Sequence, residues 1–152
     1  MTKDRRIWTI LTNMCMVYDH EGNVLVQERP GSDWPGLTFP GGHVEADEAL
    51  TDAVIREVYE ETGLRISSPH LCGVKDWIQE DGSRYIALLY RTNQFEGELL
   101  SSPEGQVGWM KLEELAGREL APDMDSLLAM FLDGLDQHPE LTAEPCGRTL
   151  WG

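Results

Sequence analysis

The 152-residue sequence has few basic residues, few cysteines and no long apolar run. Twelve Lys and Arg stand against 27 Asp and Glu, which gives a net charge of −15. Proteins that coat nucleic acids or bind anionic membranes do so through clustered Lys and Arg, so this balance argues against both classes. No apolar run approaches the roughly 18 residues of a membrane-spanning helix. We therefore expect neither a long nucleic acid nor a membrane as partner.

The three cysteines are Cys15, Cys72 and Cys146, which are widely spaced and form no CxxC pair. An odd, scattered set is typical of a reducing compartment rather than of a disulfide framework or a zinc site. The N-terminus is basic but lacks the apolar stretch and the cleavage site of a signal peptide. These features predict a cytoplasmic protein.

Hydrophobic residues make up 41% of the chain, which argues against a disordered acidic tail. At about 100–200 residues per domain, the length predicts one domain. We place this domain at residues 1–137 and leave residues 138–152 as an unassigned tail. Strand-like and helix-like segments together predict an α/β domain in which helices cover a sheet.

Runs rich in β-branched and aromatic residues predict strands at 8–18, 24–27, 71–79, 85–90 and 107–111. Asp-Gly between two strand-like runs predicts a hairpin, and Gly-Asn between two earlier runs predicts a hairpin or a tight turn. The unbroken apolar run Tyr85–Tyr90 predicts a central strand. Prolines and glycines over 30–42 predict a shaped loop without regular structure. Leucines at helical spacing predict an amphipathic helix over 120–135.

A further helical pattern runs from about residue 47 to 62 and ends at Gly63, where a left-handed cap is expected. On a helical wheel, Glu57 and Glu61 fall within the core-facing stripe, and Glu60 lies at its edge. The apolar members of that stripe are Leu50, Ala53, Val54 and Val58. Three carboxylates thus lie away from the solvated face of this helix.

Crowded carboxylates disfavour one another's ionisation, so a cation should compensate them. Arg56 is the nearby basic residue, and one guanidinium cannot neutralise three acids. A divalent cation such as Mg²⁺, with Mn²⁺ as the alternative, suits carboxylate and carbonyl oxygens. The competing interpretation is that the glutamates form an ordinary solvated face.

The segment Gly42–Leu64 reads GHVEADEALTDAVIREVYEETGL. Its glycines, its glutamates and its Arg-Glu-Val triplet stand at fixed spacing, and the segment resembles the signature of the Nudix hydrolases throughout. We call this segment, Gly42–Leu64, the Nudix box. In strand order the resemblance extends over about residues 7–135, although only the Nudix box is highly specific. The resemblance implies an α/β/α sandwich with a mixed β-sheet. It also implies Mg²⁺-dependent hydrolysis of a nucleoside diphosphate linked to another group.

The resemblance assigns metal ligands by position. It implies that Glu57, Glu60 and Glu61 bind the metal, with the carbonyl of Gly41 as a further ligand. Glu57 is also a candidate for orienting or deprotonating the attacking water. The same resemblance makes Glu104, in a later loop, a candidate for an extra acidic metal ligand or a general base. The alternative is that Glu104 is an ordinary surface residue.

The remaining box residues have supporting roles by the same resemblance. Arg56 would hold the glutamates by ion pairing, and Glu48 would fix that arrangement. Gly42 and Gly63 would provide the backbone geometry before and after the helix.

Substrate contacts are less specified. A nucleotide base needs a stacking surface, and its phosphates need a cation besides the metal. Arg29 is a candidate for phosphate, or else a surface residue at a strand end. Trp34 and Trp77 are candidate base platforms, or else packing residues.

The small domain resembles the MutT-like branch, which hydrolyses (deoxy)nucleoside triphosphates, including oxidised guanine nucleotides such as 8-oxo-dGTP, to a monophosphate and pyrophosphate. ADP-ribose and dinucleoside polyphosphates are the alternative substrates. A second alternative is a Nudix-fold sensor that binds nucleotide or ADP-ribose without turnover. The intact glutamates favour the enzyme, because degenerate members usually lose them. Small Nudix domains commonly dimerise, so the resemblance leaves both a monomer and a homodimer as alternatives.

Overall fold

The computed structural model describes residues 3–29, 36–103 and 105–135, and every statement about structure below refers to them. The strands are β1 (Thr9–Val17), β2 (Asn23–Glu28), β3 (Leu37–Thr38), β4 (Gly41–His43), β5 (Leu64–Ser67), β6 (His70–Ile78), β7 (Arg84–Thr92), β8 (Gln94–Gly97) and β9 (Gln106–Lys111). The helices are α1 (Leu50–Thr62), a 3-10 helix (Leu112–Gly117) and α2 (Met124–Leu132). None of these helices is long and apolar enough to cross a bilayer. The predicted tail at 138–152 lies outside the described residues.

The main sheet has the strand order β4-β1-β7-β6. β1 and β7 are parallel, whereas β4 and β6 join them in antiparallel orientation, so the sheet is mixed. β7 lies between β1 and β6, which confirms the central strand predicted from its unbroken apolar run. The predicted β6–β7 hairpin is confirmed as well.

A second sheet, β3-β2-β9, and a separate β5–β8 pair complete the strands. Of the two alternatives predicted for the first turn, the tight turn is confirmed. The Asp19 N–H donates to the Asn23 carbonyl at 3.0 Å, but β1 and β2 then diverge into different sheets and form no hairpin. The loop prediction for 30–42 was too simple, because β3 pairs with β2 and β4 pairs with β1. The short strands β5 and β8 were missed, since four residues carry little periodicity.

The two helices cover opposite faces of the main sheet, each with its own buried cluster. Val54 and Val58 of α1 pack with the side chains of Cys15 and Val17. Phe131 of α2 belongs to the other cluster, which also contains Met16, Leu89 and Phe39. This layering confirms the α/β/α sandwich with a mixed sheet.

Both helices are shorter than their patterns predict. α1 begins at Leu50 rather than near residue 47, and Leu50 is 43% exposed because it lies at the helix start, ahead of the turn that packs on the sheet. The predicted cap at Gly63 is confirmed: its φ is +83°, and its N–H donates to the Tyr59 carbonyl. α2 begins at Met124 because Asp123 has a left-handed backbone, with φ at +67°, while Leu120 bridges to Leu37 instead.

Candidate active site

Two adjacent glycines form an edge of the main sheet beside α1. In β4, the Gly42 N–H donates to Asn13 Oδ1 of β1 at 3.0 Å. A Cβ added to Gly41 would lie 2.1 Å from the Asn13 carbonyl oxygen, and one added to Gly42 would lie 2.3 Å from the Glu57 carboxylate. The absence of side chains at both positions therefore lets β1 and the Glu57 carboxylate approach the backbone of β4.

The Arg56 guanidinium is the centre of an ion-pair network. Its Nε and Nη2 donate to the two carboxylate oxygens of Glu48, at 2.5 and 2.9 Å. Its Nη1 donates to Glu57 Oε1 at 3.0 Å and to Glu60 Oε2 at 3.1 Å, and Nη2 also reaches the His43 carbonyl. The hydrogen bonds from Arg56 hold the pKa of the Glu48 carboxyl below its usual range. The same bonds raise the pKa of Arg56 and keep it cationic.

The Glu61 side chain is 1% exposed, and hydrogen bonds from Gly41 and Arg29 stabilise its carboxylate. Glu61 Oε1 accepts a hydrogen bond from the Gly41 N–H at 2.9 Å. Glu61 Oε2 accepts one from Arg29 Nη2 at 2.8 Å, and the same nitrogen lies 3.4 Å from the Gly41 carbonyl oxygen. Arg29 therefore lies next to a carboxylate and a carbonyl that were both predicted as metal ligands.

In the described residues, no three His, Cys, Asp or Glu side chains already converge as a metal site. The reason is visible in the contacts, because Arg56 pairs with Glu57 and Glu60 while Arg29 pairs with Glu61. The donor set still fits a divalent cation. Carboxylates and a backbone carbonyl are the hard oxygen ligands that Mg²⁺ and Mn²⁺ prefer. The two arginines supply the positive charge that these oxygens require.

A cleft of about 470 Å³ opens beside the two glycines. Arg29, His43 and Glu57 line it near β4, and Pro122, Asp123 and Leu127 line it at the start of α2. Lys75, Trp77 and Tyr85 line it on the main sheet. The Trp77 and Tyr85 rings are stacked, with centroids 4.4 Å apart and an interplanar angle of 21°. Trp77 is 42% exposed, so part of the indole is open to a ligand.

The structure brings together some of the predicted site residues and not others. The cleft and the adjoining ion-pair network gather most of them: Arg29, Gly41, Gly42, Glu48, Arg56, Glu57, Glu60, Glu61 and Trp77. Gly63 ends α1 and lies against the segment 98–100 instead. Trp34 and Glu104 lie outside the described residues.

Sequence reasoning missed several cleft residues, among them Asn13, Lys75 and Tyr85. Asn13 had a visible signal, because it is a polar side chain in the middle of the apolar run of β1. Lys75 and Tyr85 required the pairing of β6 with β7, in which Trp77 faces Tyr85 and Lys75 faces Ala87. Once that register is known, alternate residues place them on one face.

A family model described as the NUDIX domain matches residues 9–131, which include the glycine edge and both helices up to Phe131. The chain belongs to the Nudix hydrolase family. Members of this family generally use a divalent metal, and the carboxylates of α1 form the donor set described above.

Relatives and solved structures agree with this assignment. The chain is 31% identical over 123 residues to an uncharacterized Nudix hydrolase, YvcI, of Bacillus subtilis, covering 78% of this chain and 77% of YvcI. It is 35% identical over 80 residues to the phosphatase NudJ of Escherichia coli, covering 53% of this chain but only 52% of NudJ. A MutT protein from Bacillus halodurans superimposes with a TM-score of 0.70 at 28% identity, covering 93% of this chain and 86% of that protein. The E. coli ORF135 protein gives a TM-score of 0.72 at 26% identity, covering 88% and 95%.

Proposed function

We propose that this Nudix hydrolase cleaves a (deoxy)nucleoside triphosphate, such as the oxidised guanine nucleotide 8-oxo-dGTP, into a nucleoside monophosphate and pyrophosphate. One observation carries the proposal. The Glu57 carboxylate and the stacked Trp77–Tyr85 pair line the same cleft. Such a cleft offers a polar end for phosphates and an aromatic surface for a base. The likeness to proteins named MutT supports this substrate class.

Mg²⁺, or Mn²⁺ in its place, is the cation that the proposal requires. Glu57, Glu60, Glu61 and the Gly41 carbonyl would hold it. When bound, the metal neutralises charge on the phosphate oxygens and makes the phosphorus more open to attack by water. Without that charge, the acidic helix would repel a triphosphate.

The side chains around the cleft provide the proton transfer and the positioning. Glu57 is the proposed base: its carboxylate takes a proton from the attacking water, while a new oxygen–phosphorus bond forms and the bond to the departing pyrophosphate breaks. Arg56 holds this carboxylate through its Nη1 and so fixes its position. Arg29 lines the cleft and is a quarter exposed, so its guanidinium is also open to a phosphate oxygen.

The base would bind at the other end of the cleft. The Trp77 and Tyr85 rings lie nearly parallel and present a flat aromatic surface, against which a purine or pyrimidine can stack. Lys75 lies two residues before Trp77 in β6 and also lines the cleft. We propose that Lys75 contacts the phosphates, and that Trp34 and Glu104 keep their predicted roles as platform and acidic residue.

The test is a substrate panel with product analysis in Mg²⁺. The panel contains the common and oxidised triphosphates, ADP-ribose and a dinucleoside polyphosphate. The purified chain should turn a triphosphate into monophosphate and pyrophosphate, and Glu61→Gln should lose this activity. Glu113→Gln, at an exposed position on the 3-10 helix, is the matched control and should keep it.

Each alternative gives a distinct result in the same panel. Cleavage of ADP-ribose alone, or of the dinucleoside polyphosphate alone, would show that this compound and not a nucleoside triphosphate is the substrate. Release of inorganic phosphate instead of pyrophosphate would indicate a phosphatase, as in the name of NudJ. Binding without turnover, with Glu61→Gln behaving like the wild type, would indicate a sensor and refute the enzyme.

A further inference from the structure

Asn13 carries a polar group that the proposed mechanism does not use. The residue is 5% exposed and lies in β1, where its Oδ1 accepts the hydrogen bond from the Gly42 N–H. Its Nδ2 is buried and has no hydrogen-bond partner among the described residues. A buried donor without a partner is unfavourable, so such groups are uncommon in folded proteins and call for an explanation.

The orientation of this amide is fixed by its other half. Because Oδ1 is engaged by the Gly42 N–H, Nδ2 is turned to the opposite side of the amide. The neighbouring polar residue, Thr12, has no donor left over, because its hydroxyl donates to the Ile86 carbonyl at 3.0 Å. In this part of β1, Asn13 therefore supplies the side-chain donor that is left over.

Asn13 also lies on the same side of the sheet as Glu57. Asn13 and Gly42 are directly opposed in the antiparallel pair of β1 and β4, and opposed residues project to one face. A Cβ on Gly42 would meet the Glu57 carboxylate, so that face is the one that Glu57 approaches. Asn13, Gly42 and Glu57 all line the cleft. The leftover donor therefore belongs to a residue that lines the same cleft as Glu57, and its nitrogen has almost no accessible surface in the structure without a ligand.

We propose that Asn13 is a substrate-binding residue, whose Nδ2 donates a hydrogen bond to a phosphate oxygen of the bound nucleotide. The inference rests on the proposed function, because it requires a phosphate in this cleft. A hydrogen bond to a charged oxygen should change the affinity about 10- to 100-fold, which is about 1.4–2.8 kcal/mol at 1.4 kcal/mol per tenfold. Because Nδ2 is buried, this bond also requires a small local shift that brings the nitrogen to the surface of the cleft.

Two substitutions separate the donor from the acceptor. Asn13→Asp keeps an oxygen for the Gly42 N–H and removes the donor, whereas Asn13→Leu removes both groups without adding a charge. Asn93→Asp, in the segment between β7 and β8, makes the same chemical change away from the cleft and serves as control. Thermal melts identify the variants that remain folded.

The probe is a non-hydrolysable triphosphate analogue in Mg²⁺, and its dissociation constant is measured by calorimetry. We expect both Asn13 variants to bind it about 10- to 100-fold more weakly than the wild type, with Asn93→Asp unchanged. NMR gives a readout that a purely structural role would not move. The side-chain amide pair that is missing from the spectrum of Asn13→Asp should shift downfield when the wild type binds the analogue.

The outcomes distinguish this inference from the proposed function. If the wild type binds the analogue, but folded Asn13→Leu binds it equally well and the Asn13 amide signals stay in place, Asn13 only supports Gly42 and the inference is wrong. Weak binding by Asn13→Asp alone would reflect its added charge and would also overturn it. If the wild type binds no triphosphate analogue at all, the proposed function fails and takes this inference with it.

Discussion

Replacing Arg29 with methionine should destabilise the fold. The main cause should be the loss of the ion pair with the buried Glu61 carboxylate rather than a loss of packing. Arg29 donates to the 1%-exposed Glu61 and is itself 26% exposed. Without the guanidinium, Glu61 keeps its hydrogen bond from the Gly41 N–H but loses its countercharge. The perturbation therefore removes the cation that pairs with a buried carboxylate at the centre of the site.

The expected loss follows from this burial. Removing one partner of a fully buried ion pair costs about 3–5 kcal/mol, whereas an exposed pair contributes about 0–1 kcal/mol. Because Glu61 is buried and Arg29 is partly hydrated, we expect Arg29→Met to cost about 2–4 kcal/mol at pH 7. For a chain of this size that loss lowers the Tm by about 5–15 °C.

The assay is a thermal and urea unfolding series at pH 7 in the absence of divalent cations. Arg118→Met, at an exposed position after the 3-10 helix, is the control and should change stability by less than about 0.5 kcal/mol. Adding Glu61→Gln to Arg29→Met should recover part of the loss, because the buried carboxylate charge is then gone. Mg²⁺ should raise the Tm of Arg29→Met more than that of the wild type, since a cation can replace the missing guanidinium.

Two results would refute this reasoning. One is an Arg29→Met variant as stable as the Arg118→Met control. The other is a double variant in which the two losses simply add, because additivity would mean that Arg29 and Glu61 are not energetically coupled.

Three further predictions concern the same site. Gly42→Ala should lower kcat at least tenfold with a small change in Tm, because its Cβ would displace the Glu57 carboxylate rather than backbone. Trp77→Ala should raise KM by about 5- to 100-fold, since stacking of a base on an aromatic ring contributes about 1–3 kcal/mol, and steady-state kinetics measures both. Arg56 holds the pKa of Glu48 below its usual range, so the stability that this pair provides is present above pH 4.5 and is lost as the pH falls through the lowered value. Melts from pH 3 to 7 should therefore show a smaller loss on acidification for Glu48→Gln.

Each of these predictions has a control and a contradicting result. Gly108→Ala in β9 adds a Cβ that meets no atom within 4 Å, so it should leave kcat unchanged. Full activity in Gly42→Ala would show that the position of Glu57 is not critical. An unchanged KM in Trp77→Ala would show that the Trp77 indole does not bind the base. Identical acid profiles for the wild type and Glu48→Gln would show that the Glu48–Arg56 pair contributes nothing.

Local patterns predicted the elements that depend on local sequence. The helical period placed Glu61 in the apolar stripe of α1, and its burial follows from that position. Gly63 was predictable as a cap because a left-handed residue favours glycine. The unbroken apolar run of β7 requires cover on both faces, which a central strand provides.

Long-range pairing was not visible in the sequence. Arg29 and Glu61 are 32 residues apart, and nothing local indicates that they meet. In β6, a bulge between Leu71 and Gly73 reverses the faces of the residues that follow. Simple alternation from Leu71 would have placed Lys75 and Trp77 on the α1 face, whereas their partners Ala87 and Tyr85 put them in the cleft. The residues at the base end of the site could therefore be predicted only once the register between β6 and β7 was known.

The most direct test of the central claim is hydrolysis of the preferred triphosphate in ¹⁸O-labelled water with Mg²⁺, followed by mass spectrometry of the products. The account predicts monophosphate and pyrophosphate in equal amounts, with one ¹⁸O per turnover in one of the two, and a loss of turnover on chelation or in Glu57→Gln. Inorganic phosphate and nucleoside diphosphate in place of pyrophosphate and monophosphate, or undiminished turnover in Glu57→Gln, would contradict it.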